Sequence, residues 1–251
     1  MALPSIVFLL SFVGGVFGTL TTAILGEDGL ETGDKAGATI IAACAALTVG
    51  AAWVHWRRFQ VPVTVAAGAL ALVGVIVSLL LAAVPDFERV ISPALFVLGL
   101  GVFAFAMRWD MSDTARTTRR SDVAFWLHLL AAPMIANSIF AMLGLLNAEP
   151  GIGKALVVVA LYVAMGLIAL AVDRRALLVS ALGYVIYAII TLFREFGAIS
   201  LNVALAAFVI GSALLLLSAF WHNVRQAVLG LLPASLGARL PQTGTIPQPA
   251  S

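Results

Sequence analysis

The sequence predicts an all-α membrane protein, a polytopic bundle of about eight transmembrane helices. Three observations carry that expectation. Hydrophobic residues make up 62% of the 251-residue chain and charged residues only 10%, against roughly 25% charged in an average soluble domain. Apolar runs close to the roughly 18-residue threshold for a membrane helix recur along the whole length. The basic residues, finally, concentrate in every second break between those runs.

Charged or Pro/Gly-rich breaks divide the chain into runs at 3–25, 36–56, 61–84, 90–109, 123–146, 152–172, 176–193 and 198–221. Each is about long enough to cross a hydrocarbon core of ~30 Å at a rise of ~1.5 Å per residue. The seventh is the shortest and has little freedom to tilt. The first run has no basic residue before it, and Thr21-Thr22-Ala23 is a poor cleavage site, so it reads as a retained helix rather than a signal peptide.

With the N-terminus inside, the inner segments hold Arg57, Arg58, Arg108, Arg116, Arg119, Arg120, Arg174, Arg175, Arg225 and Arg239. The outer loops hold Lys35, Arg89, Lys154 and Arg194. That bias follows the positive-inside pattern and places both termini in the cytoplasm, as expected of a bacterial inner-membrane protein. Glu27, Asp28, Glu31 and Asp34 crowd the first outer loop, without the ligand spacing of a calcium loop. Trp53, Trp56, Trp109, Trp126 and Trp221 all fall at inner run ends, where an amphipathic indole prefers to sit.

A single transmembrane domain over 1–232 is expected, with a disordered Pro/Gly/Ser/Thr-rich tail at 233–251. Its halves, 1–109 and 123–232, echo each other in layout. A span, an outer loop ending Gly33-Asp34-Lys35-Ala36, a span and Arg57-Arg58 match a span, Gly151-Ile152-Gly153-Lys154-Ala155, a span and Arg174-Arg175. This suggests a four-plus-four parallel repeat joined by the linker 110–122. Small residues spaced by four, Gly14/Gly18, Ala46/Gly50 and Ala207/Gly211, suit close helix packing. After the last run, Val224, Ala227, Val228 and Leu231 recur at helical spacing beside Arg225, predicting a short interfacial helix.

Polar residues inside the runs are few. In the fifth, His128 lies near the inner boundary, where an imidazole can reach headgroup water. Pro133 frees the Leu129 carbonyl and predicts a kink. Asn137 and Ser138 are placed near mid-membrane. Asn137 follows His128 by nine residues, which puts the two on roughly opposite helix faces. In the seventh run Ser180, Tyr184, Tyr187 and Thr191 share one face at i, i+4, i+7 and i+11. Such a hydroxyl stripe is expected to face protein or water rather than acyl chains.

Several function classes are disfavoured. A net charge of +2 gives no reason to expect nucleic acid as a partner, and one cysteine, Cys44, allows no internal disulfide. No Asp, Glu, Lys or Arg lies deep in a run, which lowers the odds of ion-coupled pumping. No GxSxG, HExxH, P-loop or paired intramembrane aspartate motif occurs, so neither an enzyme nor a cofactor is expected; His55, His128 and His222 alone do not make a haem site. The lipid bilayer is the expected partner, with anionic headgroups near the basic linker. The leading functional expectation is a permease-like protein for a small uncharged or amphiphilic solute. Its path would run along Ser180, Tyr184, Tyr187, Thr191 and Asn137, with His128 of lesser weight. The alternative is a non-catalytic membrane scaffold or assembly factor acting through helix packing.

Overall fold

The computed structural model describes residues 35–144, 152–173, 208, 211, 212, 216 and 219–230. Among them every regular element is helical. The helices are α1 (Lys35–Phe59), α2 (Pro62–Ala83), α3 (Phe87–Met111), α4 (Arg119–Met142), α5 (Ile152–Val172) and α6 (Trp221–Gly230). These correspond to the second to sixth apolar runs and to the short helix expected after the eighth. Four helices, over Gly37–Phe59, Pro62–Ala83, Arg89–Met111 and Arg119–Met142, are long and apolar enough to cross a membrane. The first and seventh runs, and the acidic loop before α1, lie outside the described residues.

The chain forms two compact units. One contains α1, α2, α3 as far as Trp109 and α4, and the other contains residues 110–117, α5 and α6. The fifth run, placed by the sequence at the start of a second repeat, therefore packs with the runs before it.

In the first unit, α1 and α2 make a tight antiparallel hairpin. Arg57 and Arg58 sit in the last turn of α1, where a cation meets the negative end of the helix dipole. Gln60 takes a left-handed φ of 50° and its N–H donates to the Trp56 carbonyl at 2.9 Å, ending the helix. Pro62 then opens α2 at its first turn, where a missing N–H costs nothing. The α1 face turned inward carries Ala38, Ala42 and Ala52, all buried, so α2 approaches closely. A side chain at Gly68 would come within 3.3 Å of Ala52 Cβ. The Ala46/Gly50 pair, by contrast, is exposed, and nothing stands within 4 Å of a side chain at Gly50. The close contact is made one strip further round the helix than the sequence spacing suggested.

α2 stops because Val84, which precedes Pro85, is driven into extended backbone. α3 starts at Phe87, three residues before its expected start, and carries Pro93 in its second turn. α4 opens on Thr118, whose hydroxyl accepts from the Arg120 N–H at 3.2 Å, and runs through Pro133 to Met142. Gly144, at a φ of 64°, closes it, with its N–H donating to the Ala141 carbonyl at 3.0 Å. α3 and α4 meet at Gly99, where a Cβ would lie 2.9 Å from Ile135 Cγ1. The core between them and α2 is built from Ala66, Val73, Val102, Ala106, Val123, Leu127 and Ala131.

The polarity of the first unit is that of a protein in lipid. Leu47, Val54, Leu70, Leu79, Val97 and Leu100 are exposed, whereas His55, Thr64, Ser78 and His128 are buried. In water so much outward apolar surface would drive aggregation; in acyl chains it is the matching solvent. Trp56 and Trp109, both assigned to inner run ends, meet edge-on at 6.2 Å. The Arg57 guanidinium lies 5.1 Å from the centre of the exposed Trp53 ring, as expected where an indole and a cation share a membrane interface.

Candidate functional site

The most concentrated chemistry among the described residues lies at the carboxyl end of α5. A helix ends with about four carbonyls that have no partner within the helix, and with the negative end of its dipole. Here two arginines supply the missing donors. Arg116 Nη2 donates to the Val172 carbonyl at 3.2 Å and to the Asp173 carbonyl at 3.0 Å. Arg225 Nε donates to the Leu170 carbonyl at 3.1 Å.

Asp173, the residue after α5, balances those cations. Its Oδ2 accepts from Arg116 Nη1 at 2.8 Å, and its Oδ1 accepts from Trp221 Nε1 at 2.7 Å. Arg225 Nε stands 3.7 Å from the same Oδ1. Burial grades across the group: the Arg225 side chain is 0% exposed, Asp173 16% and Arg116 28%. Burial lowers the Arg225 guanidinium below its ordinary value; the Asp173 charge works against that shift and the Arg116 charge adds to it. Arginine titrates so high that it keeps its charge through such a shift.

Local sequence explains the arrangement. Trp221 and Arg225 are four apart, so they share the face of α6 that is buried, while His222, Asn223 and Gln226 face outward. α6 thus docks through an indole and a guanidinium. Its expected apolar stripe plays a lesser part: Val224 and Val228 are half-buried and Ala227 is exposed. The signal in the sequence was an aspartate directly after a long apolar run, together with the Trp221/Arg225 pair. Arg116, read as a topology or headgroup residue, contributes to this helix end.

The residues singled out from sequence are placed as follows. Ser180, Tyr184, Tyr187 and Thr191 lie outside the described residues. His128 is fully buried, with its ring edge-on to Phe103 at 5.1 Å between centroids. Its imidazole does not reach headgroup water as expected, because α3 covers that face of α4. Asn137 is exposed, between buried Ala136 and Ser138, so His128 and Asn137 are not brought together. Because α4 ends at Met142 rather than near 146, Asn137 lies five residues from that end, about 7.5 Å. It therefore stands nearer the end of α4 than its middle. Ser138 donates to the Met134 carbonyl at 2.7 Å, within its own helix. His55 Nδ1 and Thr64 Oγ1, 2.9 Å apart, form a buried hydrogen bond across the α1–α2 hairpin. Among the described residues no three His, Cys, Asp or Glu side chains are grouped to hold a metal ion.

Comparison with known protein families, curated proteins and solved structures gives no match to this chain.

Proposed function

We propose that the protein is a multi-span, non-enzymatic permease-like component of a bacterial inner membrane, with both termini in the cytoplasm, that passes or holds a small uncharged or amphiphilic solute. The observation that carries this is the one-sided hydroxyl pattern of Ser180, Tyr184, Tyr187 and Thr191 in the seventh run. Four hydroxyl-bearing side chains on one face of a span need hydrogen-bonding partners, and a water- or solute-lined path provides them. The four-plus-four repeat belongs to the same proposal, with the path in the second half. Asn137 contributes an amide near one end of α4. Arg119 and Arg120, exposed at the start of α4, are the residues available to anionic headgroups.

A second reading, a scaffold or assembly factor, is favoured by the first unit. Its helices approach through Ala52/Gly68 and Gly99, and its polar side chains include Ser138 and Thr48, which bond to carbonyls of their own helices. Such packing supports a rigid body presenting helix faces, with no path required.

One experiment separates the two. In a Cys44→Ala background, a cysteine at Tyr184 is exposed to a small membrane-impermeant thiol reagent in intact cells and in inverted vesicles. The permease reading expects labelling from at least one side. Protection from both sides, in protein that is correctly inserted, would leave the stripe as helix–helix glue and favour the scaffold.

A further inference from the structure

We propose that Asp173 is a latch that holds two separate segments, residues 110–117 and helix α6, to the end of α5, so that the two are fastened or released together. One carboxylate serves both. Oδ2 takes Arg116 from 57 residues away, and Oδ1 takes Trp221 from 48 residues away. The two oxygens belong to one rigid plane. Rotating the group to free one partner turns it away from the other.

Backbone strain converges on the same contact. Among the described residues only Gln60, Arg116 and Asp173 combine a side chain with a left-handed φ. Gln60 belongs to the α1–α2 turn. The other two, at 54° and 56°, are the partners of this ion pair. Aspartate visits that conformation readily one residue past a helix, whereas an arginine holds it only where its surroundings impose it, so the strain at Arg116 favours opening once the contact weakens. Two further features make the latch able to work. Arg225 is wholly buried with its Nε 3.7 Å from Asp173 Oδ1, so the same carboxylate adds to the hold on α6. Asp173 and Arg116 each keep some exposure, so water can reach the ion pair without the helices separating.

The device is tested in full-length protein carrying Cys44→Ala, reconstituted in lipid vesicles. Nitroxide pairs are placed at the exposed positions Thr117 and Gln226, and in a second sample at Ile168 and Gln226. Pulsed electron paramagnetic resonance reads the distance distribution of each pair. With Asp173 present both are expected to be narrow; in Asp173→Asn both broaden about twofold, as expected when a fastened state gives way to several. Arg116→Gly supplies an independent arm, removing one partner and relieving the strain at that residue while keeping the carboxylate. Broadening of the Ile168/Gln226 pair in Arg116→Gly, though that pair does not include the altered segment, supports a shared latch. Narrow distributions in both variants, or broadening confined to the Thr117 pair, would overturn it.

Discussion

Asp173→Ala is expected to lower the unfolding free energy by about 3 kcal/mol, because it removes a carboxylate that faces a fully buried guanidinium. Arg225 has no exposure through which water could replace the carboxylate, and its Nε lies 3.7 Å from Asp173 Oδ1. The loss also removes the oxygen to which the Trp221 indole N–H donates at 2.7 Å. Arg116 suffers less, being partly exposed and still bonded to the Val172 carbonyl. Thermal unfolding in detergent, followed by tryptophan emission, measures the effect. The double variant Asp173→Ala/Arg225→Leu is expected to recover part of it, since an apolar side chain in that position carries no charge to desolvate. If the double variant is less stable than Asp173→Ala alone, Arg225 owes its place to its hydrogen bond with Leu170 rather than to the ion pair.

Gly99→Leu is the second large effect, again about 3 kcal/mol, from overpacking. Even the Cβ would meet Ile135 Cγ1 at 2.9 Å, Met134 Cβ at 3.2 Å and the Ile135 backbone nitrogen at 3.3 Å. The isoleucine can shift; the backbone of α4 cannot, short of moving the helix. Gly101, two residues on, is the control: nothing lies within 4 Å of its added Cβ, so Gly101→Leu is expected to be close to neutral. Melting midpoints of the two variants, measured side by side, check this. Equal losses would mean that helix propensity or lipid contact, not the α3–α4 contact, dominates at both sites.

The five long helices among the described residues were legible in the sequence because lipid imposes a coarse rule, a long apolar run for every crossing. The sixth run, 152–172, coincides with the residues of α5, ended by the charged Asp173-Arg174-Arg175. Boundaries set by turn chemistry were harder to read. α4 closes at Met142 because Gly144 takes a left-handed conformation, while the apolar pattern continues to Leu146. Which small residues meet was not legible either. Ala46/Gly50 has the right spacing, yet α2 packs on the strip marked by Ala38, Ala42 and Ala52, and only the direction of the neighbouring helix decides between them. The charge cluster was hidden for a different reason. Arg116, Asp173 and Arg225 stand far apart in the chain, and each alone looks like an ordinary residue at the inner surface. What brings them together is the unsatisfied end of α5, which spacing rules do not describe.

Cysteine accessibility on either side of α3 tests most directly whether these helices cross a bilayer. In the Cys44→Ala background, single cysteines replace Asp86, exposed just before α3, and Ala115, exposed in the segment after it. A membrane-impermeant thiol reagent should label the cysteine at 86 in intact cells, and the one at 115 only in inverted vesicles. Labelling of both from the same side would contradict a crossing by α3, and with it the alternation of loops on which the whole topology rests.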